Sequence, residues 1–187
     1  LDPGESFEEA AYFGWLETIA RRGVRWHPVV AGEQFQLDGV TFRLVHPPRV
    51  WASAGEDLNE DSAVLEVRWR DFRALLMGDA GIVAERAFAG TVDAVDVLKV
   101  GHHGSRTASS ADFLAEARPQ VAVVSVGQNR YGHPTPEAMS RLQHAGARIW
   151  RTDREGHITV ETDGHEFTVR GASAPATYTA GRRAGPR

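Results

Sequence analysis

Cysteine is absent from the 187-residue sequence, which excludes disulfide bonds and thiolate metal sites and leaves His, Asp and Glu as strong ligands. Also absent is any run of the ~18 to 20 apolar residues that a membrane-spanning helix needs. Basic residues are fewer than acidic ones: the chain has 21 Lys and Arg and 25 Asp and Glu, which gives a net charge of -4. This balance argues against a broad basic surface for nucleic acid, so a phosphodiester substrate would need a local patch or a metal.

The residues that are present suit one domain of ordinary size. Hydrophobic residues make up 42% of the chain and include five Trp, which is enough for a packed core. Hairpins come first, then strand and helix alternate, and short strands follow, an order typical of an α+β fold with helices packed on a sheet. We expect one domain over residues 1–170 and a disordered tail over 171–187, where little can be buried.

Local periodicity and capping residues predict the elements of this domain. Helices are expected over 6–22, 82–89, a stretch capped by Ser109 or Ser110 that runs to Glu116, and 136–144. Strands are expected over 35–37, 40–45, 63–69, 72–77, 92–100, 121–126, 148–150, 157–160 and 167–169.

Two segments place metal-type side chains directly after apolar strands. Asp79 follows the run 74–77, and His102 and His103 follow the run 95–98, with glycines on both sides in each case. Binding and catalytic groups of layered α/β folds tend to lie at such strand ends, and neutral imidazole is the commonest transition-metal ligand. The two segments together predict one shared ligand site.

A purely structural role is the alternative for each candidate residue, namely Asp79, the histidine pair, Asn59 and His133. Asp79 could cap a turn or a helix, and Asn59 could do the same in its polar loop. The histidine pair could lie on an exposed loop, although its small, flexible neighbours favour a site. His133, between Gly132 and Pro134, could pack against a turn.

Four blocks of the sequence, taken in order, resemble a known family. They are 58–65 (LNEDSAVL), 75–79 (LLMGD), 97–105 (VLKVGHHGS) and 125–134 (SVGQNRYGHP). Together they are similar to the carboxy-terminal, metallo-β-lactamase-like domain of the ComEC family, the inner-membrane channel for DNA uptake in natural transformation. The resemblance covers roughly residues 30 to 165.

The resemblance implies a metallo-β-lactamase-like αββα sandwich, with a one- or two-metal site at one edge of a sheet. Asp79 would anchor the metals, and one of His102 and His103 would be a further ligand. The other, with His133, would face the phosphate as a hydrogen-bond donor or proton source. Asn59 would stand near the place of the fold's third histidine. The cofactor would be a divalent metal, Mn²⁺ or Zn²⁺, with no small-molecule cofactor.

One expected motif is missing from the sequence. The fold's main ligand source, H-x-H-x-D-H near the amino end of the domain, does not occur here, and the histidines before residue 100 are His27 and His46. Either the chain begins after that segment or this homologue has lost it, and the residues leave both open. Asp79 and the histidine pair fall short of the roughly three or four ligands of a stable zinc site, so we expect weak or no metal binding by this chain alone.

The leading functional hypothesis is a metal-dependent phosphodiesterase, a nuclease acting on the DNA strand that is not imported. The alternative is a non-catalytic scaffold or DNA guide, and a third hypothesis is a hydrolase of small esters or nucleotides, since a fold does not fix its substrate. Expected partners are DNA, the membrane-embedded channel domain of the same polypeptide and other competence proteins. The resemblance further implies a soluble domain on the extracytoplasmic face of an inner-membrane protein.

Overall fold

The computed structural model describes residues 10–49 and 57–181. Their strands form two sheets. The larger sheet has the same order in space as in the chain: β1 (Gln34–Leu37), β2 (Val40–His46), β3 (Val64–Trp69), β4 (Phe72–Leu76), β5 (Val97–Lys99), β6 (Val121–Val124) and β7 (Arg148–Arg151). The smaller sheet has the order β10-β9-β8, with β8 (Thr159–Thr162), β9 (Glu166–Arg170) and β10 (Ala176–Thr179).

The helices lie mostly where capping residues and periodicity predict them. They are α1 (Ala10–Arg21), α2 (Ile82–Ala87), α3 (Ala111–Ala117), α4 (Pro136–His144) and α5 (Thr152–Glu155), with 3-10 turns at Leu58–Asp61 and Gly101–Gly104. Ser110 and Thr135 are the side-chain N-caps of α3 and α4. The one-turn α5 was not predicted, and the start of the helix predicted over 6–22 lies outside the described residues.

Strand polarity changes within the larger sheet. β1 to β4 form antiparallel hairpins, and the first turn uses Asp38 and Gly39, both with positive φ. From β4 to β7 the strands are parallel, and α2, α3 and α4 lie in the connections between them. The predicted strand over 92–100 is shorter in the structure, because only 97–99 pair with both neighbours. The carboxyl ends of the four parallel strands therefore lie at one edge of the sheet.

Two hydrophobic cores define three layers. One core lies between the larger sheet and the helices and includes Leu75, Leu98 and Leu142. The other lies between the two sheets, where Trp150 of the larger sheet and Phe167 of the smaller one are buried. The expected α+β class is confirmed in this mixed architecture of helices on paired sheets, whereas the metallo-β-lactamase fold itself stays a prediction.

The expectation of a disordered tail is wrong for residues 176–179. These residues form β10, which pairs antiparallel with β9, and the Tyr178 ring stacks on Phe167 with centroids 4.9 Å apart. Beyond the strand, the Gly181 N–H donates a 2.8 Å hydrogen bond to the buried carboxylate of Asp96. These contacts link residues distant in sequence, so the small polar residues of the tail gave no local sign of them.

Among the described residues, none of the helices combines the length and the apolar character required to cross a bilayer.

Asp96→Ala should destabilise the domain by about 3 kcal/mol and loosen β10. The Asp96 carboxylate accepts hydrogen bonds from the Arg73 and Gly181 N–H groups and the Gln120 side chain, and removing it leaves these donors without that acceptor. Urea denaturation measures the loss, and hydrogen exchange of residues 176–181 reports the loosening.

The control is Glu161→Ala, which removes an exposed ion pair with Arg170 and should cost no more than about 0.5 kcal/mol. Equal stability of the Asp96 and Glu161 variants would contradict the role given to Asp96.

Candidate functional site

The predicted site residues come together at one edge of the larger sheet. β4, β5 and β6 are neighbouring parallel strands, so their carboxyl ends lie side by side. Asp79 follows β4, the histidine pair follows β5, and His133 lies between β6 and α4. We name the three segments the aspartate loop (77–81), the histidine loop (100–110) and the His133 loop (125–135). Layered α/β folds carry binding and catalytic groups at such an edge.

Asp79 and His103 form a close pair. The His103 Nε2 lies 3.5 Å from the Asp79 Oδ1, and both side chains are partly exposed. The other ring nitrogen, Nδ1, donates a 2.7 Å hydrogen bond to the carbonyl oxygen of Ser125. A carbonyl oxygen only accepts, so Nδ1 carries a proton and the ring presents its Nε2 to Asp79. One ligand could then meet both the imidazole nitrogen and the carboxylate.

His102 faces a different neighbour. Its ring lies edge-to-face with that of His133, with centroids 5.4 Å apart and planes at 84°. The His102 backbone N–H donates a 3.3 Å hydrogen bond to the carbonyl oxygen of Gly78 in the adjoining segment. The structure thus separates the two adjacent histidines: His103 points to Asp79, and His102 to His133.

The histidine loop holds a strained backbone between its two neighbours. His102 and His103 both have positive φ, at 45° and 53°, a conformation that costs free energy in residues with a side chain and recurs at functional sites. The flanking glycines allow close approach. A Cβ at Gly101 would collide with the Ala80 carbonyl oxygen of the aspartate loop, and one at Gly104 would lie 2.7 Å from the Cβ of Pro134. Neither position has room for another residue without movement of these neighbours.

The pKa of His133 is lowered below its ordinary value. Burial is the main cause, and the positive charge that His102 and His103 can carry adds to it, whereas Asp79 acts in the opposite direction. The neutral ring is therefore favoured at neutral pH. A neutral imidazole still offers one N–H donor and one acceptor nitrogen.

Lys99, the last residue of β5, was missed by the sequence reasoning. Its Nζ donates a 2.6 Å hydrogen bond to the Gly78 carbonyl oxygen and lies 3.9 Å from the Asp79 Oδ1. Burial lowers the pKa of Lys99, and the Asp79 charge opposes that shift. The sign in the sequence was a lysine closing a buried strand, three residues before His102.

Asn129, also missed, shapes the His133 loop. Its Nδ2 donates to the carbonyl oxygens of Gly127 and His133, at 2.9 and 2.8 Å. Its Oδ1 accepts from the N–H groups of Tyr131 and His133, both at 3.1 Å. One amide side chain thus fixes the backbone around His133. The sequence did show a turn-forming residue here, but gave no sign of what the turn would hold.

Asn59 was predicted to stand near the site, but its described hydrogen bonds are made by its backbone. Two residues close to it in sequence, Glu60 and Ser62, contact the aspartate loop and α2 instead. The Ser62 Oγ accepts a 3.0 Å hydrogen bond from the Asp79 N–H, and the buried Glu60 accepts from the first turn of α2. A catalytic role for Asn59 therefore stays a prediction, while positioning contacts come from Ser62 and Glu60.

The described residues offer few donors for a metal. The 3.5 Å between Nε2 and Oδ1 is near the ~3.3 Å between two ligands of one tetrahedral zinc ion. Within residues 10–49 and 57–181, however, no group of three or more His, Asp or Glu could hold a metal ion, and a stable zinc site takes roughly three or four. Lys99 also places a positive charge beside Asp79. By themselves these residues do not fit a resident divalent cation.

The chain is similar to curated bacterial proteins. It is 35% identical to Recombination protein 2 of Haemophilus influenzae over 131 residues, which are 70% of the chain and 16% of that protein. It is 31% identical to ComE operon protein 3 of Bacillus subtilis over 146 residues, 76% of the chain and 18% of that protein. It is 35% identical to Competence protein ComA of Neisseria gonorrhoeae over 132 residues, 68% of the chain and 19% of that protein.

The chain spans less than a fifth of the length of each of these relatives. No family model matches it. The predicted resemblance to competence proteins is confirmed by these similarities, and the metallo-β-lactamase-like domain stays a prediction.

The pKa of His133, followed by NMR titration of the imidazole resonances, should lie below the ordinary value of about 6.5. Asp79→Asn should lower this pKa further, because it removes a charge that favours the protonated ring, and His102→Ala should raise it.

His144→Ala, on α4, is the matched control and should leave the titration of His133 unchanged. A His133 pKa at or above the ordinary value that does not respond to Asp79→Asn would contradict the described arrangement.

Proposed function

We propose that this chain functions in DNA uptake during natural transformation, as a domain of a ComEC-type protein. Two lines support the proposal. The four sequence blocks resemble that family, and a relative from Neisseria gonorrhoeae is named a competence protein. By the same resemblance we propose DNA, a membrane-embedded channel domain and other competence proteins as partners, and the extracytoplasmic face of the inner membrane as the location.

We further propose that the strand-end site hydrolyses phosphodiester bonds. The observation that carries this proposal is the Asp79–His103 pair, with 3.5 Å between carboxylate and imidazole and the ring orientation fixed by Ser125. The surroundings enforce this pair. His103 keeps a strained backbone conformation, which persists only where neighbouring residues impose it, and the close contacts at Gly101 and Gly104 impose it here.

The other side chains of the site suit a phosphodiester. Lys99 supplies a positive charge, and the His102 and His133 rings supply N–H donors for phosphate oxygens. The lowered pKa of His133 favours the neutral ring, which donates a hydrogen bond but is a poor proton source. Of its two predicted roles we therefore propose the hydrogen-bond donor. A metal-dependent reaction would require ligands beyond the described residues.

A DNA guide without catalysis is the second candidate function. The observation that favours it is the position of Lys99, whose Nζ lies 3.9 Å from the Asp79 carboxylate. A carboxylate already neutralised by a lysine has less need of a divalent cation, and the remaining imidazole donors could contact the DNA backbone without cleaving it.

Asp79→Asn, made in the complete polypeptide in which this chain occurs, should abolish Mn²⁺- or Zn²⁺-dependent DNA cleavage and lower the transformation frequency. The substitution keeps the size of the side chain and removes its charge. Cleavage of labelled DNA and counts of transformants give the two measurements.

Asp71→Asn is the matched control, since Asp71 pairs with His165 at the turn between β3 and β4 and should affect neither measurement. Full cleavage by Asp79→Asn would refute hydrolysis at this site. A wild-type protein that never cleaves DNA but loses transformation on Asp79→Asn would favour the DNA guide.

The 187-residue chain alone should retain well under one equivalent of metal after dialysis, because the described residues bring too few donors together. Elemental analysis of the dialysed protein gives the ratio. One equivalent of tightly held Zn²⁺ or Mn²⁺, lost in the Asp79→Asn variant, would mean that this chain completes a metal site.

A further inference from the structure

Two charged side chains from outside the three loops hold the histidine loop. Glu85 on α2 is buried, and its carboxylate accepts the N–H groups of Ser109 and Ser110 at 2.5 and 2.9 Å. Arg141 on α4 donates to three carbonyl oxygens of residues 106–109, at 2.7 to 2.9 Å. Ser109 is thus held through its N–H by the Glu85 carboxyl group and through its carbonyl oxygen by the Arg141 guanidinium.

The loop that these hydrogen bonds hold contains three non-glycine residues with positive φ. His102, His103 and Ser109 all have positive φ, at 45°, 53° and 59°. Such conformations persist in non-glycine residues only when the surroundings over-determine them. Charge-assisted hydrogen bonds are stronger than neutral ones, and the guanidinium fork contacts several carbonyl groups at once. Glu85 and Arg141 therefore stabilise the positive φ values of the histidine loop, which the residues of the loop do not favour by themselves.

α4 connects the histidine loop to the His133 loop. At its start, Thr135 donates from its N–H and its hydroxyl to the Gly104 carbonyl oxygen, at 2.9 and 3.3 Å. His133 lies two residues before Thr135, and Arg141 lies on the same helix six residues after it. The helix that begins just after His133 therefore contacts the histidine loop at two places, through its N-cap Thr135 and through Arg141.

We propose that Arg141 and Glu85 are positioning residues that set the separation of the His102 and His133 rings. Their hydrogen bonds go to the backbone of residues 106–110. They act by fixing residues 106–110, and through them the pair of histidines, against α4. The importance of that separation for catalysis rests on the proposed function, whereas its control by Arg141 and Glu85 rests on the hydrogen bonds alone.

The test is the ¹H–¹³C spectrum of the imidazole groups in the 187-residue chain, at constant pH. Arg141→Ala and Arg141→Lys should both shift the His102, His103 and His133 resonances and leave those of His157 and His165 in place. Lysine at position 141 should not restore the wild-type resonances, because an ammonium group lacks the planar fork that reaches three carbonyl oxygens. Arg86→Ala, an exposed arginine on α2, is the control and should leave all of these resonances unchanged.

If Arg141→Ala fails to fold, Arg141→Lys and Glu85→Gln are compared by the same spectrum in folded samples. Resonances of His102, His103 and His133 that match the wild type in both variants would overturn the proposal. In the complete polypeptide, Arg141→Lys should slow DNA cleavage by about 100-fold, as misplaced catalytic groups do. Absence of cleavage in the wild type would refute the proposed function and leave the spectral result to decide the positioning role.

Discussion

The parallel pairing of β4, β5 and β6 is the constraint on which the site depends. Parallel strands end at the same edge, so the segments that follow them are adjacent although Asp79 and His133 are far apart in sequence. Close packing then sets the fine geometry, since Gly101 and Gly104 leave no space for side chains between the loops. The 3.5 Å contact between Asp79 and His103 is a consequence of both.

Local rules predicted much of the fold from the sequence. The Thr135 cap and Pro136 start of α4, the Asp38-Gly39 hairpin and the strand-end positions of Asp79 and the histidine pair all follow from short-range patterns. What could not be predicted depends on contacts between distant residues. β10 is held by stacking on β9 and by Asp96, and no local pattern in its Ala-Thr-Tyr-Thr sequence indicates either contact.

The same division applies to the site. Residue type and spacing identified Asp79, His102, His103 and His133, but not which histidine faces the carboxylate. That choice depends on the Ser125 carbonyl oxygen, which binds His103 from a third strand end. Lys99 was missed because a lysine in a strand is usually solvated, and Asn59 was favoured over Ser62 because the wider fold places a ligand near it. Only tertiary contacts distinguish these cases.

His103 presents Nε2 to Asp79 because the Ser125 carbonyl oxygen accepts the proton on its Nδ1, and the roles given to the pair depend on this orientation. The most direct measurement is the long-range ¹H–¹⁵N spectrum of the His103 imidazole in the wild type and in Asp79→Asn. Nδ1 should be protonated and exchange slowly in both proteins, and the Nε2 resonance should move when the carboxylate is removed. A ring whose Nδ1 lacks the proton, or whose Nε2 does not respond to Asp79, would contradict this orientation.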